Sequence, residues 1–203
     1  TMSVGEYRKS DIKGTQLPAY PLVSEKPDFA AAWKTFSDAD GIIIQPHPKT
    51  VIVQNPPAVP LSTEEMDRIY ELPFARKQHP AIKETIPALA PIQFSIITHR
   101  GCFGACSFCS ITHHQGKQII SRSEESILRE AKRMAKMPEF RGTISDVGGP
   151  SANMYGAHCP KWEKQGACKN KSCIGCPSLQ DGTARQLALL SEIQKIPKVK
   201  HVF

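Results

Sequence analysis

Apolar residues recur at helical spacing in two stretches of the second half of the chain. The first stretch has the apolar stripe of an amphipathic helix. This stripe consists of Ile127, Leu128, Ala131, Met134 and Ala135. Ser123 is a suitable cap for this helix, because two glutamates follow it and favour the positive end of the helix dipole. The second stripe consists of Leu189, Leu190, Ile193 and Ile196. We therefore predict two helices, one over residues 121–137 and one over residues 183–195, each followed by a proline within a few residues.

Short apolar runs flank these helices and predict β-strands. Residues 94–98 and 143–147 lie before and after the first helix, and residues 199–203 follow the second. Two strands that are joined through a helix of this length form a right-handed parallel βαβ unit. The pattern thus predicts an α/β fold with three parallel strands and crossover helices. The loops that follow such strands meet at one edge of the sheet, where barrels of this kind place their active sites.

The first 92 residues lack long periodic stretches and hold 12 of the chain's 17 prolines. Since proline removes a backbone donor and fixes one dihedral angle, we expect mainly extended segments and turns here. Two apolar runs, over residues 41–44 and 50–53, predict a hairpin. Ser62 with Glu65 three residues later is the capping-box pattern and predicts a short helix.

These patterns divide the chain into two predicted domains. Residues 1–92 form a Pro-rich lead-in with a hairpin and a short helix, and residues 93–203 form the α/β domain. Within the second domain, a Cys-rich insertion covers about residues 156–180. A chain of 203 residues is long enough for a domain with such an appendage.

The composition is that of a globular protein, with 40% hydrophobic and 22% charged residues. No run of about 20 apolar residues occurs, so no membrane span is expected, and no charged-then-apolar leader indicates secretion. We therefore expect the seven cysteines to lie in the reducing cytoplasm, where metal or cluster binding is favoured over disulfides. Thr1 is not an initiator residue and the last residues read as an interrupted strand, so we expect a part of a longer protein.

The net charge is +7, from 26 Lys and Arg against 19 Asp and Glu. The basic residues are scattered, except for a concentration at Lys161, Lys164, Lys169 and Lys171. A basic patch of this kind is typical of proteins that bind RNA or another polyanion. Scattered basic residues also serve solubility, and both interpretations of the charge stay open.

Three cysteines, Cys102, Cys106 and Cys109, lie close together with C-x3-C-x2-C spacing. Thiolates this close in sequence can face one small inorganic centre, and they are the usual ligands of iron-sulfur clusters and zinc. A closed site needs four protein ligands, whereas the next cysteine here is Cys159. One position of the centre is therefore expected to stay open to a substrate or cofactor. Small residues in the motif let the backbone wrap closely round the centre.

The segment Arg100-Gly-Cys-Phe-Gly-Ala-Cys-Ser-Phe-Cys-Ser-Ile-Thr112 resembles the signature of radical S-adenosylmethionine (SAM) enzymes, C-x3-C-aromatic-C, with Phe108 as the aromatic. Residues 121–124 and 145–155, which include Ser151, are similar to those of YgiQ-type radical SAM proteins. The resemblance runs from about residue 55 to the end of the chain. It implies a partial (β/α) barrel, whose remaining strands lie outside this chain.

The resemblance implies that the three cysteines of the motif bind three irons of a [4Fe-4S] cluster and that SAM binds the fourth. In such enzymes an electron from the reduced cluster cleaves SAM, and the resulting 5′-deoxyadenosyl radical abstracts a hydrogen from the substrate. The likeness also implies that Phe108 lies near the adenine and that Gly148 and Gly149 bind the SAM amino group. The protein then positions and shields its cofactors, and its partners are an electron donor and a substrate that the sequence does not name.

A second group of cysteines consists of Cys159, Cys168, Cys173 and Cys176. Three interpretations stay open for it: a structural zinc site with four sulfurs, an auxiliary iron-sulfur cluster, and thiols that bind no metal. C-x4-C-x2-C spacing occurs in iron-sulfur proteins, while zinc tolerates varied spacing. The group comes soon after the double glycine, so it is placed to lie over the predicted site.

Four other polar residues are candidates for contact with a ligand. His113 and His114 follow the cysteine motif and either contact SAM or substrate or are simply solvated. Arg122 either meets the SAM carboxylate or anchors a loop. Asp146 either binds a ribose hydroxyl or accepts hydrogen bonds from backbone donors.

Two classes of function follow from these features. The first is a radical SAM enzyme of unknown substrate, because the cysteine spacing, the aromatic, the double glycine and the βαβ context agree. The second is a zinc-binding structural or RNA-binding module, in which the seven cysteines are structural and the basic stretch binds phosphates.

Overall fold

The computed structural model describes residues 1–23, 26–39, 41–150, 152–168 and 173–203. The chain forms two compact units, Thr1–Val59 and Pro60–Phe203. This division falls earlier in the chain than the predicted end of the lead-in at residue 92. The predicted domain boundary at residue 92 stays a prediction.

The first unit contains a four-stranded sheet. Its elements in chain order are β1 (Met2–Ser3), α1 (Val4–Lys9), β2 (Thr15–Gln16), a 3-10 helix (Tyr20–Val23), α2 (Lys26–Asp38), β3 (Ile43–Pro46) and β4 (Thr50–Gln54). The strand order is β1-β4-β3-β2. Strands β3 and β4 form the predicted antiparallel hairpin, with Ile44 opposite Val53, while β2 pairs in parallel with the other edge of β3.

Helix α2 contradicts the expectation of mainly extended structure in the first 92 residues. It runs for 13 residues and includes Pro27 at its second position. Proline is tolerated in the first turn of a helix, where its missing N–H has no partner in any case. Three aromatic rings then follow at helical spacing, and Trp33 stacks between Phe29 and Phe36. The proline count was therefore misleading here, because it ignored the position of the proline within the helix.

The second unit contains the two predicted helices and the predicted parallel strands. Its elements are α3 (Thr63–Tyr70), α4 (Leu89–Ile92), β5 (Ser95–Ile97), β6 (His99–Arg100), α5 (Ile111–Gln115), β7 (Ile120–Ser121), α6 (Glu124–Met134), β8 (Thr143–Ile144), β9 (Asp146–Gly148), α7 (Pro160–Gln165), α8 (Thr183–Gln194) and β10 (His201–Val202). The predicted capping box begins α3, since the N–H of Glu65 donates to Ser62 Oγ at 3.2 Å and the N–H of Ser62 donates to Glu65 Oε2 at 2.8 Å.

The parallel strands lie side by side, with residues 143–148 in the centre. Strand β5 pairs in parallel with β9, and β10 pairs in parallel with β8. Only Ser145 separates β8 from β9, and its N–H donates to the carbonyl oxygen of Phe94 at 3.0 Å. On the other side, the N–H of Val147 donates to Phe203 O at 2.8 Å. The three predicted parallel strands are thus confirmed, and the described part of the chain contains no closed barrel.

The core of the second unit lies between this sheet and the helices α6 and α8. The apolar stripes predicted from the sequence supply it, and its buried members include Ile127, Ala131, Met134, Leu189 and Ile193, which pack with Ile96, Ile144 and Val147. Burial of these side chains is the main favourable term for folding of the unit. Among the described residues, no helix has both the length and the apolar character needed to cross a bilayer.

Candidate functional site

The cysteine motif and the double glycine lie at the same edge of the parallel sheet. Strands β5 and β9 pair with Ile97 opposite Gly148. The pairing continues past β5, because the N–H of Thr98 donates to Gly148 O at 2.8 Å and the Thr98 hydroxyl donates to the same oxygen at 3.1 Å. Strand β6 then leads directly to Cys102. The two segments that the sequence singled out therefore leave the sheet next to each other, at the carboxyl ends of adjacent parallel strands.

Protein atoms alone hold the base of the cysteine loop. The N–H of Cys102 donates to Gly116 O at 2.9 Å. The buried Thr112 hydroxyl donates to Cys102 O at 2.9 Å and accepts from the N–H of Ala105 at 3.2 Å. Thr112 belongs to α5, so this side chain ties the helix that follows the motif to the beginning of the loop.

Gly101 fills a position that other residues cannot occupy without rearrangement. Its φ is +94°, in the left-handed region, and a Cβ there would lie 1.9 Å from Gln118 O. Both the dihedral angle and the space therefore require glycine. This close approach brings the residue before Cys102 against the segment that precedes β7.

Two of the three thiols of the motif face the same glycine. A Cβ at Gly104 would lie 3.4 Å from Cys102 Sγ and 3.5 Å from Cys106 Sγ. The third thiol accepts from the N–H of Ile111, with 3.5 Å between N and Cys109 Sγ. Cys102 is buried, Cys109 is half-buried and Cys106 is exposed. The thiols thus range from the base of the loop to its solvent-facing rim.

The donor set fits an iron-sulfur cluster by its chemistry and by the space that Gly104 leaves beside two sulfurs. Within the described residues, no three His, Cys, Asp or Glu side chains stand at the spacing of ligands round a single metal ion. In a cubane cluster each thiolate binds a separate iron, so its ligands are farther apart than those of one ion. The spacing of the thiols therefore disfavours a single metal ion, and it disfavours a cluster less.

The aromatic of the motif lies in solvent. Phe108 is 91% exposed. An exposed aromatic ring beside exposed Cys106 is accessible to a ligand that approaches the rim of the loop. Its predicted contact with adenine stays a prediction.

Gly149 packs against a histidine that the sequence did not single out. A Cβ at Gly149 would lie 2.1 Å from His99 Nε2 and 2.2 Å from His99 Cε1. The imidazole is completely buried, and its Nδ1 lies 3.0 Å from the Thr98 hydroxyl. In contrast, a Cβ at Gly148 would meet only the ends of side chains, Asn153 Oδ1 at 2.7 Å and Asp146 Oδ1 at 3.1 Å. The second glycine is therefore required by packing, whereas the first is not.

His99 is neutral at physiological pH. Burial lowers its pKa to about 4, and a weak interaction with the Ala152 backbone opposes this shift. Its Nε2 atom has no partner within hydrogen-bond distance among the described residues. His99 is not spaced from any other His or Cys in a pattern typical of ligands, so the sequence gives no reason to single it out. Only the fold identifies it as a neighbour of the double glycine.

Arg122 anchors the elements beneath the site. It is completely buried, and its guanidinium donates to Ile97 O at 2.9 Å and to Ser126 Oγ at 2.8 Å. Glu130 accepts a short ion-paired hydrogen bond from Arg122 and another from Arg76. The guanidinium also stacks over the ring of Tyr70, 4.6 Å from its centroid. Of the two interpretations of Arg122, its burial and these protein partners support the anchor, and its Nε is buried without a hydrogen-bond partner among the described residues.

The other three polar candidates are exposed. His113 and His114 lie on the solvent side of α5. Asp146 is exposed at the start of β9, and partial desolvation raises the pKa of its carboxyl.

Two members of the second cysteine group have described packing or polar contacts: Cys159 belongs to a small apolar cluster, and the carbonyl oxygen of Cys168 accepts from the buried Lys117 at 3.1 Å. Cys159 packs with Ile119, Ala157 and Trp162. Its neighbour His158 exchanges two backbone hydrogen bonds with Gln180, 3.0 and 2.8 Å long. These bonds close the Cys-rich insertion across its ends.

The thiols of this group influence one another. Burial is the main cause that raises the pKa of the Cys173 thiol, and the thiolates of Cys168, Cys176 and Cys159 raise it further, while the Lys117 ammonium lowers it. Hydrogen bonds from Ser178 lower the pKa of Cys176. All four thiols therefore lie within electrostatic range of Cys173.

The predicted basic concentration is only partly visible. Lys161 and Lys164 are exposed on α7. Lys169 and Lys171 lie outside the described residues, as does Ser151 of the segment after the double glycine.

The chain is similar to known proteins over most of its length. Residues 2–95 match the family model described as radical SAM N-terminal. The chain is 53% identical over 197 residues to a UPF0313 protein of Methanocella arvoryzae, covering 93% of this chain and 33% of the relative. UPF0313 proteins of Methanosarcina acetivorans and Clostridium botulinum are 51% and 46% identical, with 26% and 31% of their lengths covered. The chain thus spans about a third of the length of the curated relatives it matches, and it is similar to the UPF0313 proteins over most of its own length.

Proposed function

We infer that the protein is a radical SAM enzyme in which Cys102, Cys106 and Cys109 bind a [4Fe-4S] cluster and leave one iron for SAM. The observation that carries this proposal is the parallel register of β5 and β9, which sets Ile97 opposite Gly148. This register supports the proposal because it brings the cysteine loop and the double glycine to one edge of the sheet. That edge is where parallel α/β folds bind their ligands.

The roles of the side chains follow from their exposure and packing. Three thiolates would hold the cluster, with Cys102 at the base of the loop and Cys106 at its rim. The exposed ring of Phe108 is suited to stack on the adenine of SAM. Gly148 and Gly149 present backbone groups without side chains, and such groups are suited to bind the SAM amino group.

His99 and Arg122 act beneath these residues. Neutral His99 fills the space beside Gly149 and so fixes the backbone of the double glycine. Arg122 joins the end of β5 to α6 through Ile97 and Ser126. Both are positioning residues rather than ligands.

The cluster and SAM, when bound, would supply the radical chemistry: one electron from a donor would cleave SAM into methionine and a 5′-deoxyadenosyl radical, and this radical would take a hydrogen atom from the substrate. The protein contributes binding, orientation and exclusion of water. We also propose that the three parallel strands are the first part of a (β/α) barrel. The substrate pocket would then lie largely in the part of the relatives' length that this chain does not span.

The test is an assay for 5′-deoxyadenosine. The full-length protein is reconstituted anaerobically with iron and sulfide, reduced with dithionite and incubated with SAM. We expect 5′-deoxyadenosine from the wild type and from Ser107→Ala, an exposed neighbour in the same loop, and none from Cys106→Ala. Product formation by Cys106→Ala would refute the assignment of the cluster ligands. Stoichiometric zinc with no iron-sulfur absorbance in the wild type would instead favour the zinc-binding module.

A further inference from the structure

Two loops of the second unit repeat one sequence pattern. Each loop joins a helix to the parallel strand that follows it, and each has the order Lys, apolar residue, Pro, any residue, apolar residue, basic residue. The first loop is Lys136-Met-Pro-Glu-Phe-Arg141, between α6 and β8. The second is Lys195-Ile-Pro-Lys-Val-Lys200, between α8 and β10. Because the two loops are far apart in the chain, their basic residues look scattered in the sequence.

The two loops also share a backbone hydrogen bond and a pattern of burial. In the first loop the N–H of Phe140 donates to Met137 O at 3.1 Å, and in the second the N–H of Val199 donates to Ile196 O at 3.0 Å. These four apolar residues belong to the core of the second unit or pack against it. All basic residues of both loops are exposed. The repeated pattern therefore fixes the loops through their apolar positions and leaves the cations at the surface.

The fold places the two loops side by side. Strands β8 and β10 pair in parallel, and helices α6 and α8 pack in the same core. The N–H of Lys200 donates to Gly142 O at 2.7 Å, directly beside Arg141. Neighbouring strands and packed helices lie roughly 5 to 10 Å apart, so equivalent residues of the two loops are separated by about that distance. The surface formed by residues 136–141 and 195–200 is named the basic edge, and it lies at the amino ends of the strands, opposite the cysteine loop.

The basic edge carries an excess of positive charge. Two carboxylates belong to these loops or to the helical turn before them: Glu139 pairs with Lys77 at 2.7 Å, and Glu192 pairs with Lys195 at 2.6 Å. No Asp or Glu of the described chain forms an ion pair with the other four cations, which are Lys136, Arg141, Lys198 and Lys200. The helix dipole favours cations only near the last turn of a helix, so it accounts for Lys136 and Lys195 alone. The remaining cations precede the strands and have no such local reason.

The chemistry of this surface indicates the kind of partner that it fits. Neither loop contributes a large exposed apolar side chain. Protein interfaces usually have an apolar or aromatic centre, and single-stranded nucleic acid is bound by stacking on aromatic rings. A duplex instead presents regular rows of phosphates, which lysine and arginine neutralise. Exposed cations without apolar neighbours therefore match the backbone of a duplex better than either alternative.

We propose that the basic edge binds the phosphate backbone of double-stranded nucleic acid. Contacts with phosphates carry no sequence information, so this binding is independent of sequence. The surface is separate from the candidate site, which lies at the other edge of the sheet. It also differs from the basic stretch at Lys161 and Lys164, which the sequence alone had singled out.

The first test measures binding of the full-length protein to a labelled RNA duplex and a labelled DNA duplex of the same sequence. Fluorescence anisotropy is followed as the salt concentration rises, and we expect binding at low salt with an affinity that falls steadily as salt is added. The basic-edge variant carries Arg141→Glu, Lys198→Glu and Lys200→Glu. It should bind at least about 10-fold more weakly than the wild type and depend less on salt, because up to about three phosphate contacts are lost.

The matched control reverses the same number of exposed lysines elsewhere on the second unit. It carries Lys83→Glu, Lys161→Glu and Lys164→Glu, so its net charge equals that of the basic-edge variant. The control should keep the salt dependence of the wild type and lose clearly less affinity. Circular dichroism checks the fold of both variants, and substitution of the same three basic-edge residues by Gln replaces the charge reversal if that variant is unfolded.

Three results would overturn the proposal. The first is no binding of either duplex by the wild type at low salt. The second is an equal loss of affinity in the two variants, which would assign binding to net charge or to the stretch on α7. The third is displacement of the duplex by polyglutamate at an equal concentration of negative charge, which would identify the partner as an acidic protein. Binding of either duplex that is lost only in the basic-edge variant supports the proposal.

A second measurement uses the wild-type protein. Exposed lysines are acetylated with and without the duplex, and the modified positions are mapped by mass spectrometry. Lys136, Lys198 and Lys200 should be protected by the duplex, whereas Lys83 and Lys161 should react at the same rate in both samples. Equal acetylation of the basic edge with and without the duplex would contradict the proposal. Neither experiment requires the cluster or SAM, so failure here leaves the radical SAM proposal untouched.

Discussion

The two glycines after β9 predict opposite responses to the same substitution. Gly149→Ala places a methyl group 2.1 Å from His99 Nε2 and 2.7 Å from His99 Cδ2. Atoms of this kind pack at about 3.5–4.0 Å, so the ring or the backbone must move by more than about 1 Å. The ring is completely buried, so it cannot turn out into solvent without a rearrangement of its neighbours. Overpacking of this kind costs about 1–3 kcal/mol of the free energy of unfolding.

Gly148→Ala is the matched control. Its methyl group would meet the terminal oxygens of Asn153 and Asp146, which can rotate away. A strand position accepts alanine, and the lower backbone entropy of the unfolded chain favours the variant. We therefore expect a change below about 1 kcal/mol, within the range of mild substitutions.

The assay is urea unfolding of the full-length protein followed by circular dichroism, with the midpoints of the two variants compared with that of the wild type. A double-mutant cycle isolates the clash. In a His99→Ala background the ring is gone, so Gly149→Ala should cost little, and the coupling between the two sites should reach about 1–3 kcal/mol. The reasoning is wrong if Gly149→Ala is as mild as Gly148→Ala, or if its cost is the same with and without the imidazole.

Three further outcomes follow from buried groups near the site. Burial lowers the pKa of His99 from 6.5 to about 4, so the unfolded state binds a proton at a higher pH than the folded state does. The free energy of unfolding should therefore fall by up to about 3 kcal/mol as the pH drops from 6.5 to 4. His99→Gln should flatten the pH dependence of the urea midpoint over that range. Glu130→Gln leaves the buried Arg122 and the half-buried Arg76 without a carboxylate and should cost about 3–5 kcal/mol in the same assay, whereas Glu125→Gln, exposed on the same helix, should change little. In Gly101→Ala the methyl group clashes with a carbonyl oxygen, and the backbone dihedral angle is also unfavourable for alanine. Gly116 has a similar dihedral angle but open space around it, so Gly116→Ala is the control. The iron content of Gly101→Ala after reconstitution should be well below that of Gly116→Ala.

Periodic apolar residues made the second unit predictable. The stripes of α6 and α8 alternate with three short apolar runs, and one parallel arrangement brings most of them into a single core. Local signals also sufficed for the capping box at Ser62, because its two hydrogen bonds join residues three apart. Helix α2 was missed for the converse reason: one proline was weighed by its presence rather than by its place in the first turn.

Long-range contacts explain what the sequence did not predict at the site. His99 meets Gly149 across 50 residues of chain, and the contact depends on the register of β5 and β9 rather than on any local motif. The ion pair of Arg76 with Glu130 likewise joins residues 54 apart. For Arg122 the sequence offered two roles, and only its burial and its protein partners favour one of them.

The cysteine loop combines a fixed base with an open rim. At the base, Cys102 is buried and its two backbone groups are bonded to Gly116 and Thr112. At the rim, Cys106 and Phe108 are exposed, and their surroundings are solvent. Because the base is held by protein atoms, changes at Gly101 and Thr112 act first on folding and only through folding on the cluster. Changes at the rim remove little packing, so they should act on ligand binding alone. Substitutions along a single loop of eight residues therefore separate the stability of the fold from the chemistry of the site.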